Sequence, residues 1–282
     1  MAVEIRFRRS GGGQGWRRGP RQGTLIVAQR LNAERLVLLG WTRAILLQLA
    51  HPLIAAGVYD HSSFRATPLA AASRLHATIR AMLALSFGTD AEREHALHGI
   101  RTIHTRVHGQ LTQRVGAFPA GTPYSAEDPA LVLWVHLTLL ESIPLAYERF
   151  VEPVGDGERD TYCAESAWVA IALGARPADV PLTWAHASDQ LSRMYGSGIL
   201  AVGDQARELS VAVLAPRATR FIPPLASWNR IVSVGLLPDT IRQLYGLTWG
   251  EADQRRFDRT VVRVRALRRT LPTFVALWPE AR

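Results

Sequence analysis

The 282-residue chain contains no lysine. All 33 basic residues are arginine, set against 24 acids for a formal net charge of +9. The arginines are spread among the acids and form no basic stripe with interleaved aromatics, so nucleic acid is not an expected partner. An acidic partner or an anionic membrane surface stays compatible with the charge. There is one cysteine, Cys163, which excludes an intrachain disulfide and any cysteine-based zinc site and fits a reducing compartment. Long apolar runs are also missing. Ala130–Leu140 comes nearest, with 11 residues before Glu141, short of the roughly 18 needed to span a bilayer. The pairs Arg8-Arg9 and Arg17-Arg18 lead into glycine and polar residues, not an apolar signal core, so no signal peptide is read. The expected location is the cytoplasm, with a peripheral membrane contact left open. No GxGxxG after a strand, P-loop, HExxH or GxSxG is present, and neither a hairpin pair nor a repeat is read.

What is present is apolar and helical. Hydrophobic residues make up 48% of the chain, enough for a sizeable core. Residues 1–23, rich in Gly and Arg, read as a disordered tail, and 24–282 as a single all-α, multi-helix domain. From Thr24 the pattern is helical up to Pro52, which ends a buried helix, and 52–67 reads as a loop or broken helix. Pro68 opens a helix closed by Gly88, with Leu75, Ile79, Met82 and Leu83 as its apolar face. Asp128 and Pro129 cap a nearly all-apolar, central helix. Later helices are expected at 157–174, 181–200, 203–214, 238–246 and 251–271, with a loop at 217–224. The last should bury Phe257, Val261, Val264, Leu267 and Leu271 and leave its arginines solvated.

The stretch Glu92–Val115 reads as one amphipathic helix in which Leu97, Ile100, Val107, Leu111 and Val115 share a face. His104 falls within roughly 30° of the centre of that stripe, while His95 and His98 point away. A histidine there needs a partner, either a polar core neighbour or a metal, and spacing alone leaves both readings open. Arg74 and Thr78 lie one turn apart. By pattern they are a surface arginine beside a back-bonded threonine. His51, His61, His104 and His136 lie in apolar or loop contexts that suit a non-haem metal or a haem. His136 is read as a core histidine bonded to a carbonyl, and Cys163 as a buried structural residue before a thiolate ligand.

Five segments, in order, resemble one family. They are QLAHPLIAAGVYDHSSF from Gln48 to Phe64, Arg74-x-x-x-Thr78, IHTRVHG around His104, GTPYSAEDP leading into WVHLTLLES, and LLPDTIRQLYGLTW. Together they resemble the short bacterial members of the MpaB-type and latex-clearing-protein (rubber oxygenase) family, from about Arg30 to the C-terminus. The resemblance implies an all-α domain enclosing a haem b pocket, with His104 as proximal iron ligand and Arg74 and Thr78 near the pocket and important for activity. It also implies dioxygen-dependent cleavage of a carbon–carbon double bond in an apolar, isoprenoid or lipid-like substrate. Arg43, His51 and His61 are candidate contacts to the haem edge, beside core and capping roles. Rubber-cleaving members carry a lysine one residue before the threonine; here that position is Ala77, so polyisoprene cleavage does not simply carry over. A non-catalytic haem or lipid binder or sensor, and a metal-free helical scaffold, are the alternatives.

Overall fold

The computed structural model describes residues 26–62, 68–215 and 223–282. The expected tail at 1–23 and most of the expected loop at 217–224 lie outside the described residues. Thirteen α-helices are described: α1 (Val27–Ala33), α2 (Leu38–Leu49), α3 (Pro52–His61), α4 (Pro68–Phe87), α5 (Asp90–His104), α6 (Pro129–Phe150), α7 (Asp156–Ala172), α8 (Trp184–Gly196), α9 (Asp204–Leu214), α10 (Pro223–Gly235), α11 (Asp239–Tyr245), α12 (Glu251–Thr270) and α13 (Thr273–Ala276). Two three-residue strands, β1 (His108–Gln110) and β2 (Pro123–Ser125), form an antiparallel pair. The fold is all-α apart from this hairpin, which the sequence did not suggest.

Helix α6 is the axle. Asp128 caps it through Oδ1, which accepts the Ala130 N–H at 2.8 Å, and Pro129 occupies the first turn, where its missing N–H is harmless. It is long and apolar enough to cross a membrane, but 61% of that window is buried inside the protein, as in a core helix. Helix α2 runs along it at close range because residue 40 is glycine: a Cβ there would collide with the Ser142 carbonyl and the Ala146 methyl. Trp134, Leu137, Leu140 and Ile143 of α6 then pack against Leu46 and Leu47 of α2 in the main core. Arg43 crosses the same seam, 1% exposed. Its Nε donates to the Leu236 carbonyl and its Nη1 to Ser142 Oγ, both at 2.7 Å, and Nη2 pairs with Glu141 Oε2 at 2.8 Å.

Several sequence expectations change. The helix expected over 92–115 runs from Asp90 to His104, started by a capping box between Thr89 and Glu92. It stops because the chain beyond it turns into the hairpin. The Val107 carbonyl accepts from Ala126 N–H, and Leu111 N–H donates to the Thr122 carbonyl, each at 2.9 Å. Val107, Leu111 and Val115 therefore do not extend the stripe of Leu97. The helical stretch before Pro52 is broken at Glu34, whose backbone bridges to Leu277, giving α1 and α2. Pro52 opens a helix as well as following one: it is the first residue of α3, capped by His51. Leu75 and Leu267, expected in apolar faces, are 51% and 58% exposed. Helix α10 was not anticipated.

Candidate functional site

A cavity of about 800 Å³ opens among α1 to α7 and the hairpin. That lies in the upper part of the range for small-molecule and cofactor sites. Every described residue lining it falls between Ile26 and Leu173, so α8 to α13 buttress the site without facing it. Helix α6 supplies a mainly apolar wall with Val132, Val135, Leu139 and Ile143, and α4 supplies Ala77, Ala81, Met82 and Leu85.

His104 is the last residue of α5, half-buried, with its side chain on the cavity wall. Ending the helix there matters, since the chain turns away immediately and leaves the cavity side of the ring uncovered. Burial holds its pKa below the ordinary imidazole value of 6.5, against an opposing pull from the Glu127 carboxylate. The ring is thereby kept neutral, the form that ligates a metal. Ile103 is 61% exposed, and it too lines the cavity.

Arg74 and Thr78 lie on the same cavity from α4. Thr78 Oγ1 donates to the Arg74 carbonyl at 2.9 Å, the back-bonded arrangement expected from spacing, and Arg74 Nη1 donates to Ser62 Oγ at 2.7 Å. His61, at the end of α3, also lines the cavity. Its Nε2 lies 3.1 Å from the His108 carbonyl and 3.4 Å from the Tyr124 hydroxyl, which donates to Asp60 Oδ2 at 2.6 Å. A side chain at Gly109 would run into the Tyr124 ring, so the hairpin closes only with glycine there.

The structure thus brings His104, Arg74, Thr78 and His61 to one cavity. It does not bring Arg43 or His51 there: neither is on the wall. Arg43 is consumed by the seam between α2 and α6. His51 Nδ1 accepts the Leu53 N–H at 3.3 Å as the cap of α3, its ring packs on Phe118 at 5.5 Å, and burial pushes its pKa down to about 4 despite Asp128. Cys163 is fully buried away from the cavity wall, its thiol pushed up to about 12, so no thiolate faces the cavity.

Two lining groups escaped sequence reasoning, and a third departs from the role expected for it. Gln48 holds Thr138 Oγ1 at 3.0 Å. Glu165 of α7 accepts the Ala28 N–H at 2.7 Å, and desolvation raises its carboxyl pKa against that bond. His136 is on the wall too, and its Nε2 finds no hydrogen-bond partner among the described residues, instead of the carbonyl expected for it. No local signal marks Gln48 or Glu165, because each is defined by a partner more than 80 residues away.

The described residues define an all-α protein with a large, mostly apolar cavity that has His104 in its wall. The chain belongs to the family described as "ER-bound oxygenase mpaB/B'/Rubber oxygenase, catalytic domain", whose profile matches residues 28–266. Membership makes it an oxygenase-class catalytic domain. No curated protein and no solved structure matches the chain.

Proposed function

We propose that the protein is a haem b-dependent oxygenase that uses dioxygen on an apolar, unsaturated, isoprenoid or lipid-like substrate and cleaves a carbon–carbon double bond. The observation that carries this is His104, an imidazole at the end of α5 in the wall of a mainly apolar cavity of about 800 Å³, with Arg74 and Thr78 on the same cavity. Among the described residues no group of three or more His, Cys, Asp or Glu could hold a metal ion. A single imidazole grips iron poorly by itself, but it suffices when a porphyrin supplies four further nitrogens. The cavity has the apolar walls and the volume that such a flat macrocycle needs.

In this reading His104 would hold the haem iron through its imidazole, which burial disfavours protonating. Arg74 neutralises a propionate or another anionic edge, as a guanidinium does with carboxylates. Thr78 offers a hydroxyl to a small polar ligand when it releases the Arg74 carbonyl. The apolar walls seat the substrate and keep water out. When bound, haem supplies the binding and activation of dioxygen; the protein supplies ligand, pocket and access.

Purified holoprotein should show a Soret band, and His104→Ala should abolish or strongly weaken it while the fold persists by circular dichroism. A folded His104→Ala protein with an undiminished band would remove the proposed ligand. One feature favours a second reading, a non-catalytic haem or lipid binder: Ala77 lines the cavity where rubber-cleaving relatives carry a lysine. Oxygen uptake on an isoprenoid panel separates the two, because the binder keeps the band and consumes none.

A further inference from the structure

The polar strip of α6 is satisfied inside the protein. Thr138 Oγ1 donates to the Val135 carbonyl at 2.7 Å and accepts from Gln48, while Glu141 and Ser142 hold Arg43. His136 is the exception in this strip's neighbourhood. It is 8% exposed, it lies on the cavity wall, and no described residue reaches its Nε2. A buried polar atom left unpaired costs roughly 1–3 kcal/mol. Such an atom in a native fold calls for an explanation, a ligand among them. The Trp134 indole on the same helix is also unpartnered, but it is not on the wall. Trp41 Nε1 and Arg93 Nε are unpaired too and their residues line the cavity, but neither residue is fully buried and Arg93 pairs with Asp90; among the described residues only His136 is buried, on the wall and left with an unpaired ring nitrogen.

We propose that His136 is the specificity-determining polar contact of this cavity: its imidazole hydrogen-bonds an oxygen of the substrate. The preferred substrate is then an oxygen-bearing unsaturated lipid or isoprenoid, an alcohol or carbonyl compound, not a bare hydrocarbon. This rests on the reading of the cavity as the substrate site of an oxygenase. The cavity-lining residues next to it along α6, Val132, Val135, Leu139 and Leu140, have side chains that form no hydrogen bonds. The ring has one donor and one acceptor, so it serves a hydroxyl or a carbonyl equally. Burial pushes its pKa down to about 4, so it is neutral at neutral pH. A neutral ring suits a neutral oxygen, since a carboxylate at that depth would carry uncompensated charge. Of the two arginines on the cavity, Arg93 pairs with Asp90, and Arg74, which donates to Ser62, is assigned to the anionic edge of the cofactor in the reading above.

The experiment titrates the full-length holoprotein with a fifteen-carbon isoprenoid alcohol and with the hydrocarbon of the same skeleton. Binding is followed by the fluorescence of the wall residues Trp41 and Trp168. The wild type should prefer the alcohol by about three- to tenfold, within the range of one net hydrogen bond. His136→Phe should lose that preference by weakening the alcohol alone, leaving hydrocarbon affinity within about twofold, and should melt at higher temperature without ligand. His136→Gln, which keeps a donor and an acceptor, should retain part of the preference; it also serves as the test variant should the phenylalanine protein fail to fold. A wild type that binds both compounds equally, or a His136→Phe protein with the full preference, overturns the contact and leaves the oxygenase reading standing. A wild type that binds neither compound overturns the substrate reading of the cavity together with this inference, whatever its Soret band shows.

Discussion

Replacing Arg43 with leucine separates a structural arginine from a cofactor-binding one. The guanidinium is 1% exposed and makes three polar contacts: the Leu236 carbonyl, Ser142 Oγ and Glu141 Oε2. The Tyr195 hydroxyl donates to the same Glu141 oxygen at 2.6 Å, so the carboxylate is not wholly abandoned when the cation goes. Removing one partner of a buried ion pair typically costs about 3–5 kcal/mol. The Glu141 side chain is 20% exposed, and water reaching it screens the stranded charge, which argues for the low end, about 3 kcal/mol. For a chain of this size that corresponds to a midpoint lower by roughly 6–12 °C. Thermal melts followed by circular dichroism measure it, with the Soret band recorded on the same samples. Arg43→Leu with Glu141→Leu should recover much of the loss, because an apolar pair can replace a buried ion pair nearly neutrally. An Arg43→Leu protein that melts like the wild type but holds haem weakly would refute the reasoning, and would return Arg43 to the cofactor.

Acid should destabilise the fold through two neutral histidines. Unfolded imidazoles titrate near 6.5 and those of His51 and His136 near 4, so between these values the unfolded chain holds more protons and stability falls as pH drops. Each contributes up to about 3 kcal/mol by the shift, and denaturant unfolding at pH 7 and pH 5 should show the loss, smaller in His136→Phe. A stability flat over this interval would mean that neither ring stays neutral in the fold. Gly40→Ala should lower stability by roughly 1–3 kcal/mol by forcing α2 off α6; an alanine protein of unchanged midpoint would show the seam to be loose. Cys163 should resist thiol reagents at pH 8 until the protein is denatured, and rapid labelling of the native protein would contradict its burial. In a haem-loaded sample the ferrous carbonyl spectrum should be of the histidine type, since no thiolate lines the cavity; a thiolate-type maximum would exclude His104 as the sole axial ligand.

Much was legible locally. Asp128 followed by Pro129 announces the start of α6, and the apolar run behind it announces its burial, because a cap and a period act over a few residues. Gly246 ends α11 in the left-handed conformation that glycine adopts most readily, with φ 66°. The periodicity around Leu97 and Ile100 puts His104 on the inward face although α5 ends at His104 and not at Val115, since a face is set by the turns before the residue. Three matters were settled only by contacts between distant parts of the chain. The end of α5 depends on backbone hydrogen bonds from the Ala126 N–H to Val107 and from the Leu111 N–H to Thr122, which no period reports. Arg43 is a core residue and not a cavity residue because Leu236 and Ser142 lie 193 and 99 positions from it. The cavity itself, and the unpaired nitrogen of the wall residue His136, involve residues from Ile26 to Leu173 on seven helices, a separation that no local pattern spans. Composition and spacing determined that the chain is helical and which face the central helices bury; only the packing of those helices decided what space was left between them.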